Sequence, residues 1–486
     1  MKITNTYQTH AEHRGQHPAI VTDEETVSYE EWHDAVQRTA ATFAKETTKA
    51  KRVALFLPNG RLFLQLFAGA SEAGWASIVC DMRWKKREIE ERLQLTTPDL
   101  IIADQTMKRC FQKTSLPVIY SNDIDEWLTD DRRFQQTSDN VPFYIGFTSG
   151  STGKPKAFVR SHASWIESFR CNLVDFGMTE HDHVFIPGSF VSSTFLFGAF
   201  STLFLGGTIY ILKKFSPGRF MTYVHHHPIS VVYVVPTMMQ ALINEGYRSD
   251  KPIAFLSTGM KWLPRLKEAM RLHFPNAHFY EFYGSSELSY VSVLKNDEQI
   301  EHPDSVGKAL HNVKISIRDE NGQEVHAGEE GILYVKSKML FDGYLHHEEE
   351  TNKVLQGDWA TVYDIAKMDE EGFIYILGRQ NDMILYGGIN IYPQEIEQLL
   401  RTYDGVEEAV VFGVKDEHWG EKVAACIKGN VSIPSLKTFC RKNLASYKIP
   451  KIWKKVKWFP KTSGGKISRQ EVKKWFETGE LNQWEQ

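Results

Sequence analysis

Short apolar runs alternate with amphipathic stretches along the first quarter of the chain. Val53–Leu57, Ala76–Cys80 and Leu100–Ala103 each have the pattern of a buried strand, and helical periodicity fills the stretches 62–73 and 88–95 between them. This alternation is typical of a mostly parallel sheet covered by helices. The same rhythm returns later in five further apolar runs, which are Val184–Ile186, Thr208–Leu212, Val231–Val235, Ile253–Ser257 and His278–Phe282. The pattern therefore predicts an α/β protein with two helix-covered, mostly parallel sheets.

Beyond Tyr290 the pattern changes, and short strands and turns replace the helices. Lys314–Arg318 and Gly331–Lys336 flank the turn Asn321-Gly322, which predicts a β-rich subdomain packed on the two sheets. The end of the chain has the size and the βα alternation of a small α+β domain. We expect residues 1–380 to form a large N-terminal domain and residues 381–486 to form a small C-terminal one.

One uncharged stretch, Val184–Leu212, is long enough to cross a bilayer. It contains Pro187, several glycines and hydroxyl residues, and its ends have the pattern of strands around a helix. Buried core is therefore favoured over a membrane span.

Composition narrows the choice of function. The chain has 486 residues, is 42% hydrophobic and carries a formal net charge of −4, which gives no electrostatic reason to expect a nucleic-acid partner. Its five cysteines have no paired spacing, so neither a disulfide framework nor a zinc knuckle is expected. The polar N-terminus, Met1–His10, lacks the apolar centre of a signal peptide, and a cytoplasmic enzyme is the expectation.

A glycine- and hydroxyl-rich loop follows a short apolar strand at Phe143–Phe147. Gly150 and Gly153 allow tight turns that bring backbone N–H groups close to an anion. The loop adds four hydroxyl donors and two cations, which are Thr148, Ser149, Ser151, Thr152, Lys154 and Lys156. Pro155 follows Lys154, whereas the common phosphate loop needs Ser or Thr there. The loop predicts a different kind of polyphosphate site, and a Ser/Gly surface linker is the alternative.

A second strand-to-loop transition lies at Tyr280–Glu287. Tyr283 could stack on a purine, Ser286 could donate to a phosphate, and Glu287 is a hard oxygen ligand suited to Mg²⁺. Taken alone, these eight residues are better explained by a polar turn after a core strand.

Together the two loops resemble, in order, the signatures of the acyl-adenylate-forming superfamily, and the acyl-CoA synthetase branch fits best. The resemblance implies an ATP-dependent, AMP-forming acid–thiol ligase that uses Mg²⁺ and CoA. It implies that residues 148–153, Lys156 and Ser286 bind the ATP phosphates, and that Glu287 binds the metal. Thr258 and Gly259 would lie beside the adenine with Tyr283, although Thr258 and Lys261 replace the usual Gly and Pro.

The same resemblance assigns roles in the last quarter of the chain. Asp364, placed by its distance from Gly378-Arg379, matches the ribose-binding aspartate better than Asp358 does. Arg379 would lie near the α-phosphate, and Asn381 occupies the hinge position, where Asp or Lys is usual. A rotation there would bring the loop at Gly387 and Gly388 toward the site as a tunnel for CoA. Lys466 matches the catalytic lysine of this mobile C-terminal lid.

The acid is indicated by the segment that contains Phe190, Val191 and Ser192. Val191 stands where amino-acid-activating relatives carry an aspartate, and valine cannot pair with an ammonium group, so an α-amino acid is disfavoured. A fatty or other apolar acid is expected, although the nearby aromatic residues fit an ordinary core equally well. A phosphopantetheine carrier protein is the alternative acceptor, and a non-catalytic acyl- or nucleotide-binding protein is a distant third reading.

Overall fold

The structure is a computed structural model that describes residues 1–135, 137–139, 141–149, 155–259, 261–386, 389–416, 419–461 and 466–480. The chain divides into two compact units. Unit 1 comprises Met1–Thr148, Pro155–Lys314 and Val335–Ala360, and unit 2 comprises Ser149–Lys154, Ile315–Tyr334 and Thr361–Gln486.

Strands and helices are numbered here in chain order. The strands are β1 (Pro18–Val21), β2 (Thr26–Ser28), β3 (Arg52–Phe56), β4 (Ala76–Val79), β5 (Leu100–Ala103), β6 (Val118–Tyr120), β7 (Pro142–Ser149), β8 (Pro155–Ser161), β9 (His183–Ile186), β10 (Thr208–Ile211), β11 (Val231–Val234), β12 (Ala254–Ser257), β13 (His278–Ser285), β14 (Ser289–Leu294), β15 (Lys308–Ala309), β16 (Lys314–Arg318), β17 (Gly331–Lys336), β18 (Gly343–Tyr344), β19 (Leu355–Gln356), β20 (Trp359–Ala360), β21 (Asp364–Met368), β22 (Ile374–Arg379), β23 (Ile384–Tyr386), β24 (Ile389–Ile391), β25 (Val406–Asp416), β26 (Gly420–Gly429) and β27 (Ile452–Lys455). The α-helices are α1 (Tyr7–Arg14), α2 (Tyr29–Lys45), α3 (Arg61–Glu72), α4 (Lys86–Thr96), α5 (Lys108–Phe111), α6 (Ile124–Trp127), α7 (His162–Val174), α8 (Ser193–Leu205), α9 (Pro217–His226), α10 (Pro236–Asn244), α11 (Pro264–His273), α12 (Glu298–Glu301), α13 (Glu348–Val354), α14 (Pro393–Arg401), α15 (Ile433–Asn443) and α16 (Arg469–Thr478).

Unit 1 contains the two predicted sheets. One has the strand order β18-β8-β7-β4-β3-β5-β6, and β7, β4, β3, β5 and β6 run parallel. The other has the order β15-β14-β13-β12-β11-β9-β10-β1-β2, and its strands from β13 to β1 run parallel. Every residue of β4, β5, β10 and β11 is buried, as expected for strands covered on both faces. The βαβ prediction is confirmed.

The uncharged stretch Val184–Leu212 is core. It forms the end of β9, the buried helix α8 and all of β10. Gly206 directly follows α8 and stops it, with a φ of +97° that only glycine readily adopts. Within the described residues, no helix combines the length and the apolar character that crossing a membrane requires.

Unit 2 is built around antiparallel strands. β21 and β22 form a hairpin, and β25 and β26 form a longer one that pairs with β23 and, in parallel, with β27. Successive side chains of β25 enter different cores: Ala409 and Val411 pack in one cluster, and Val410 and Phe412 pack in another. The first cluster includes Ile396 of α14 and the second includes Val472 of α16, so helices cover both faces of the sheet. The predicted boundary between residues 380 and 381 stays a prediction.

Candidate active site

Three of the predicted segments lie at one edge of the nine-stranded sheet. Because β9, β12 and β13 are parallel, their carboxyl ends point the same way. Phe190–Ser192 follow β9, Thr258 and Gly259 follow β12, and Tyr283 lies near the end of β13. The carboxyl edge of a parallel sheet is where α/β proteins bind ligands.

Glu287 lies in the tight connection between β13 and β14. A Cβ at Gly284 would stand 2.0 Å from the carbonyl oxygen of Ser289, so only glycine fits the turn. The Glu287 side chain is buried, and its Oε1 accepts a hydrogen bond from the Tyr344 hydroxyl at 2.7 Å. A carboxylate oxygen is a ligand that Mg²⁺ prefers. The geometry fits the predicted metal ligand.

A buried arginine supports the same connection. Arg160 donates to the carbonyl oxygens of Ser286 at 3.0 Å and Met339 at 2.7 Å. Burial lowers the pKa of Arg160 to about 10, and the negative charges of Asp342 and Glu287 oppose that shift. Arg160 therefore remains a cation at neutral pH and fixes the backbone beside the carboxylate.

Lys156 is held by a carboxylate. Its ammonium group pairs with Glu350 and lies 5.1 Å from the centre of the Tyr344 ring. Hydrogen bonds from Lys156 and Lys353 lower the pKa of Glu350 to about 2. Lys156, the predicted phosphate-binding cation, is thus already paired with an anion of the protein.

Thr148, which was also predicted to bind phosphate, is the next-to-last residue of β7 and is partly exposed.

The loop after β12 is fixed by a buried ion pair. Trp262 donates its backbone N–H to Glu281 Oε1 at 2.9 Å, and Lys267 Nζ lies 3.0 Å from Glu281 Oε2. Burial raises the pKa of Glu281, and the charge of Lys267 opposes the shift. Gly259 has a φ of +98°, and Thr258 is partly exposed. These contacts tie Trp262, four residues after Thr258, to the strand that carries Tyr283.

The segment predicted to contact the acyl group is anchored by Asn59. Its side chain donates to the carbonyl oxygen of Gly188 at 2.6 Å and accepts from the backbone N–H of Phe190 at 2.9 Å. The Phe190 ring is buried and packs on Phe63 with 5.4 Å between ring centres, whereas Val191 is partly exposed. Ser192 is the residue before α8.

In unit 2, Asp364 and Arg379 face each other across the β21–β22 hairpin. Asp364 is buried, and its Oδ1 accepts from Arg379 Nε at 3.1 Å. Asp358, the competing candidate for the ribose, is an exposed residue of unit 1 that pairs with Lys336 at 2.6 Å. A buried carboxylate suits recognition of two ribose hydroxyls better than an exposed one.

The hinge candidate and the lysine candidate are both exposed. Asn381 lies in a 3₁₀ turn directly after β22, and Lys466 directly precedes Ile467, which pairs with Lys461 in an isolated β-bridge. Three residues after Lys466, Arg469 donates from one nitrogen to both oxygens of Glu397 at 2.8 Å and pairs with Asp382. This cluster joins the start of α16 to α14 and to the residue after Asn381.

Some predicted residues lie outside the described part of the chain. They are Gly150, Ser151, Thr152, Gly153 and Lys154 of the first loop, and Gly387 and Gly388 of the expected CoA tunnel. Ser149 ends β7.

Several contacts of the site residues were not predicted from the sequence. Tyr344, Glu350, Arg160 and Arg469 lie far along the chain from their partners, and Asn59 is 131 residues from Phe190. No local spacing signals such pairs.

Comparison with known proteins identifies the family. The AMP-binding enzyme family matches residues 7–345, and the C-terminal domain of AMP-binding enzymes matches residues 395–466. An uncharacterized acyl–CoA ligase of Bacillus subtilis, YhfT, is 44% identical over 98% of this chain and 99% of its own length. A putative long chain fatty acid-CoA ligase of Staphylococcus epidermidis, VraA, is 32% identical over 75% of this chain and 80% of its own length. The structure of o-succinylbenzoate CoA synthetase from Bacillus subtilis, in complex with its acyl-adenylate intermediate, superposes with a TM-score of 0.90 at 25% identity and covers 96% of this chain and 98% of that one.

The chain belongs to the family of AMP-binding enzymes. Within it, the chain is an acyl-CoA ligase, an enzyme that uses ATP, Mg²⁺ and CoA to convert a carboxylic acid through an acyl-adenylate into a thioester. The predicted fold class and enzyme class are confirmed.

Proposed function

We propose that this ligase activates an apolar monocarboxylic acid, such as a fatty acid, and transfers its acyl group to CoA. The observation that carries the proposal is the absence of charge from Val191 and Ser192, which are partly exposed and follow the buried Phe190 at the carboxyl end of β9. A second carboxylate or an ammonium group on the substrate would lose hydration there without gaining a counter-ion.

A cation on the loop after β12 does not change this argument. Lys261 follows the Thr258–Gly259 turn, but its ammonium group already lies 3.1 Å from Asp304. The putative fatty acid specificity of VraA agrees with an apolar acid. The structural relative is named for succinylbenzoate, which carries a second carboxylate, so that acid is the discriminating competitor.

In the first step, a carboxylate oxygen of the acid attacks the α-phosphorus of ATP, and pyrophosphate leaves with the electrons of the broken P–O bond. Both reactants are anions. We assign Lys156, Thr148 and Ser286 to the departing phosphates and Lys466 to the charge on the reacting carboxylate and α-phosphate. Glu287 would hold Mg²⁺, which would supply further positive charge to the phosphates.

Other residues bind and orient the nucleotide. Asp364 accepts from the ribose hydroxyls, Arg379 lies near the α-phosphate, and Tyr283 stacks on adenine against the Thr258–Gly259 turn. In the second step the CoA thiol attacks the acyl carbonyl, and AMP leaves. We assign Asn381 to the hinge about which the C-terminal lid would rotate between the two steps. We assign Gly387 and Gly388 to the tunnel for the pantetheine arm of CoA.

Pyrophosphate release tests the proposal. Purified enzyme with ATP and Mg²⁺ is assayed against fatty acids, aromatic monocarboxylic acids, amino acids and 2-succinylbenzoate, with and without CoA. Lys466→Ala should lower acid-dependent release on the order of 10²–10³-fold. Lys474→Ala, an exposed lysine of α16, is the matched control and should change release by less than about twofold.

The outcomes separate the alternatives. Release that depends on an apolar acid and gains turnover with CoA supports the proposal. Preference for 2-succinylbenzoate would refute the assignment of the acid and leave the enzyme class intact. Release that ignores CoA but gains turnover with a phosphopantetheinylated carrier protein would identify that carrier as the acceptor.

A further inference from the structure

Three side chains with different metal-binding chemistry meet where α7 ends. Cys171 lies in the last turn of α7, Asp175 follows the helix directly, and His311 lies in the segment after β15. A ligand atom of each residue lies within 4.8 Å of the ligand atoms of the other two. None of the three has a role in the proposed ligase reaction.

We propose that Cys171, Asp175 and His311 bind one Zn²⁺ ion. Thiolate, carboxylate and imidazole are the three side-chain ligands that zinc takes in proteins. In tetrahedral zinc sites, ligand atoms lie about 3.3–3.6 Å apart, given bond lengths of about 2.0–2.3 Å. The upper limit of 4.8 Å exceeds that spacing by about 1 Å, and the 2.7 Å between Asp175 Oδ2 and His311 Nδ1 is shorter than it by about 0.6 Å, so binding requires only small changes in the separations.

Two of the ligands are already oriented toward each other. Asp175 Oδ2 lies 2.7 Å from His311 Nδ1, and Asp175 Oδ1 accepts the backbone N–H of His311 at 3.1 Å. When Oδ2 and Nδ1 bind the ion, Oδ1 keeps its backbone hydrogen bond. Hydrogen bonds of this kind hold metal ligands in position in established metal sites.

The charges at the cluster also favour a divalent cation. Thiolate, carboxylate and neutral imidazole together carry two negative charges, which Zn²⁺ balances.

The neighbouring groups favour zinc over magnesium or calcium. Met339 Sδ lies 3.5 Å from Cys171 Sγ, and sulfur is a poor partner for hard cations. The Cys171 thiol donates to Asn312 Oδ1 at 3.3 Å, and the Asn312 amide donates to Glu167 Oε1 at 3.1 Å. Glu167 pairs in turn with Arg170 at 2.9 Å. Binding of the ion would therefore exchange one weak thiol hydrogen bond for a bond between thiolate and metal.

The position of the cluster separates it from the residues assigned to the ligase reaction. Its 13 residues make α7 roughly 20 Å long, and the cluster lies at the opposite end of this helix from the strand that carries Lys156. His311 also lies three residues before Lys314, where the chain leaves unit 1. The ion would join α7 to that departing segment.

Metal content and cobalt absorption test the site. Full-length enzyme is stripped with chelator, equilibrated with a small excess of Zn²⁺ and dialysed, and its metal content is measured. We expect about one Zn²⁺ per chain, falling at least tenfold in Cys171→Ser and in His311→Gln. Co²⁺ in place of Zn²⁺ should give thiolate-to-cobalt absorption that Cys171→Ser abolishes. Cys110→Ser, which changes an exposed cysteine, is the control and should retain both signals.

The proposal fails if the folded wild-type enzyme retains less than about a tenth of an ion per chain. It also fails if both variants retain as much zinc as the wild type, since the ion would then be bound elsewhere. Circular dichroism of the variants separates loss of the site from loss of folding. Asp175→Asn supplies a variant that keeps both the thiol and the imidazole, and its affinity for zinc should fall without loss of the cobalt–thiolate band.

Discussion

Removal of the Arg469 guanidinium should destabilise unit 2 more than any exposed substitution in it. Arg469 contacts Asp382 and, at 2.8 Å, both oxygens of Glu397, whose residue is 4% exposed. Arg469→Met keeps an apolar side chain of similar length but leaves Glu397 as a buried charge. In that variant the remaining partners of the Glu397 carboxylate are the backbone N–H of Val411 at 2.8 Å and Arg401 at 3.9 Å.

The expected loss in the free energy of unfolding depends on the cost of leaving the Glu397 carboxylate buried without Arg469. Breaking a buried pair by removing one partner costs about 3–5 kcal/mol. The cost should fall at the lower end of this range, because Glu397 keeps the Val411 N–H and Arg401 as partners. We therefore expect a loss of about 3 kcal/mol in the free energy of unfolding of this region.

Hydrogen exchange measures the loss locally. A loss of about 3 kcal/mol corresponds to amide exchange about 10²-fold faster in the core strands β25 and β26. Arg441→Met, which changes an exposed arginine of α15, should leave those rates within about threefold of the wild type.

A double variant tests the assigned cause. Glu397→Gln removes the buried charge and keeps an oxygen that can accept from Val411, so adding it to Arg469→Met should recover about half of the lost stability. If Arg469→Met speeds exchange less than about threefold, or if the double variant is no more stable than the single one, the reasoning is wrong.

Three further predictions concern unit 1. Tyr344→Phe removes the hydrogen bond that orients Glu287. Its loss should weaken Mg²⁺ binding by about 1.5 kcal/mol and so raise the Mg²⁺ concentration for half-maximal pyrophosphate release about tenfold. The pKa of Glu350 is lowered to about 2, so ionised Glu350 stabilises the wild type above pH 4.5, and this stabilisation is lost as pH falls toward 2. Glu350→Gln should lack this pH-dependent contribution, and denaturation curves of the two proteins measure the difference. Burial lowers the pKa of His162 to about 3, so its neutral form stabilises the fold above pH 6.5. That contribution is lost as pH falls from 6.5 toward 3, and His162→Phe should reduce the loss of stability between pH 7 and pH 5 by about 2 kcal/mol.

Each of these variants has a matched control. Tyr223→Phe also removes a hydroxyl that donates to a carboxylate, that of Asp23 at 2.7 Å, and should not change the Mg²⁺ requirement. Glu349→Gln alters the neighbouring, more exposed glutamate. His225→Phe alters an exposed histidine of α9 and should leave the pH dependence of stability unchanged. Equal effects in a variant and its control would contradict the corresponding assignment.

The sheets of unit 1 could be predicted because their signal is local. Leu100–Ala103 is four apolar residues long, and all four are buried in β5 between parallel neighbours. A strand covered on both faces must be apolar at every position, and the helix that follows must have an apolar stripe. Both requirements can be read within about fifteen residues of sequence.

The contacts that arrange the candidate site could not be predicted in this way. Glu287 and Tyr344 are 57 residues apart, and Lys156 and Glu350 are 194 residues apart. Phe190 shows the same limit, because a local run of apolar residues does not distinguish a ring that lines a pocket from one that packs on Phe63. Only the folded chain brings these partners together.

Those long-range pairs also determine what ATP must change when it binds. Lys156 and Lys353 both pair with Glu350, so the role proposed for Lys156 requires the phosphates to compete with Glu350 for its ammonium group. Glu287 differs from Lys156, since a neutral hydroxyl group donates to its buried carboxylate and the nearby Arg160 guanidinium donates to the Ser286 carbonyl oxygen. In the proposed reaction Glu287 would hold Mg²⁺, which would add positive charge there, and the phosphates would give Lys156 a new anionic partner. On this proposal, binding of the nucleotide and the metal together would change the charge balance of the site less than binding of either one alone.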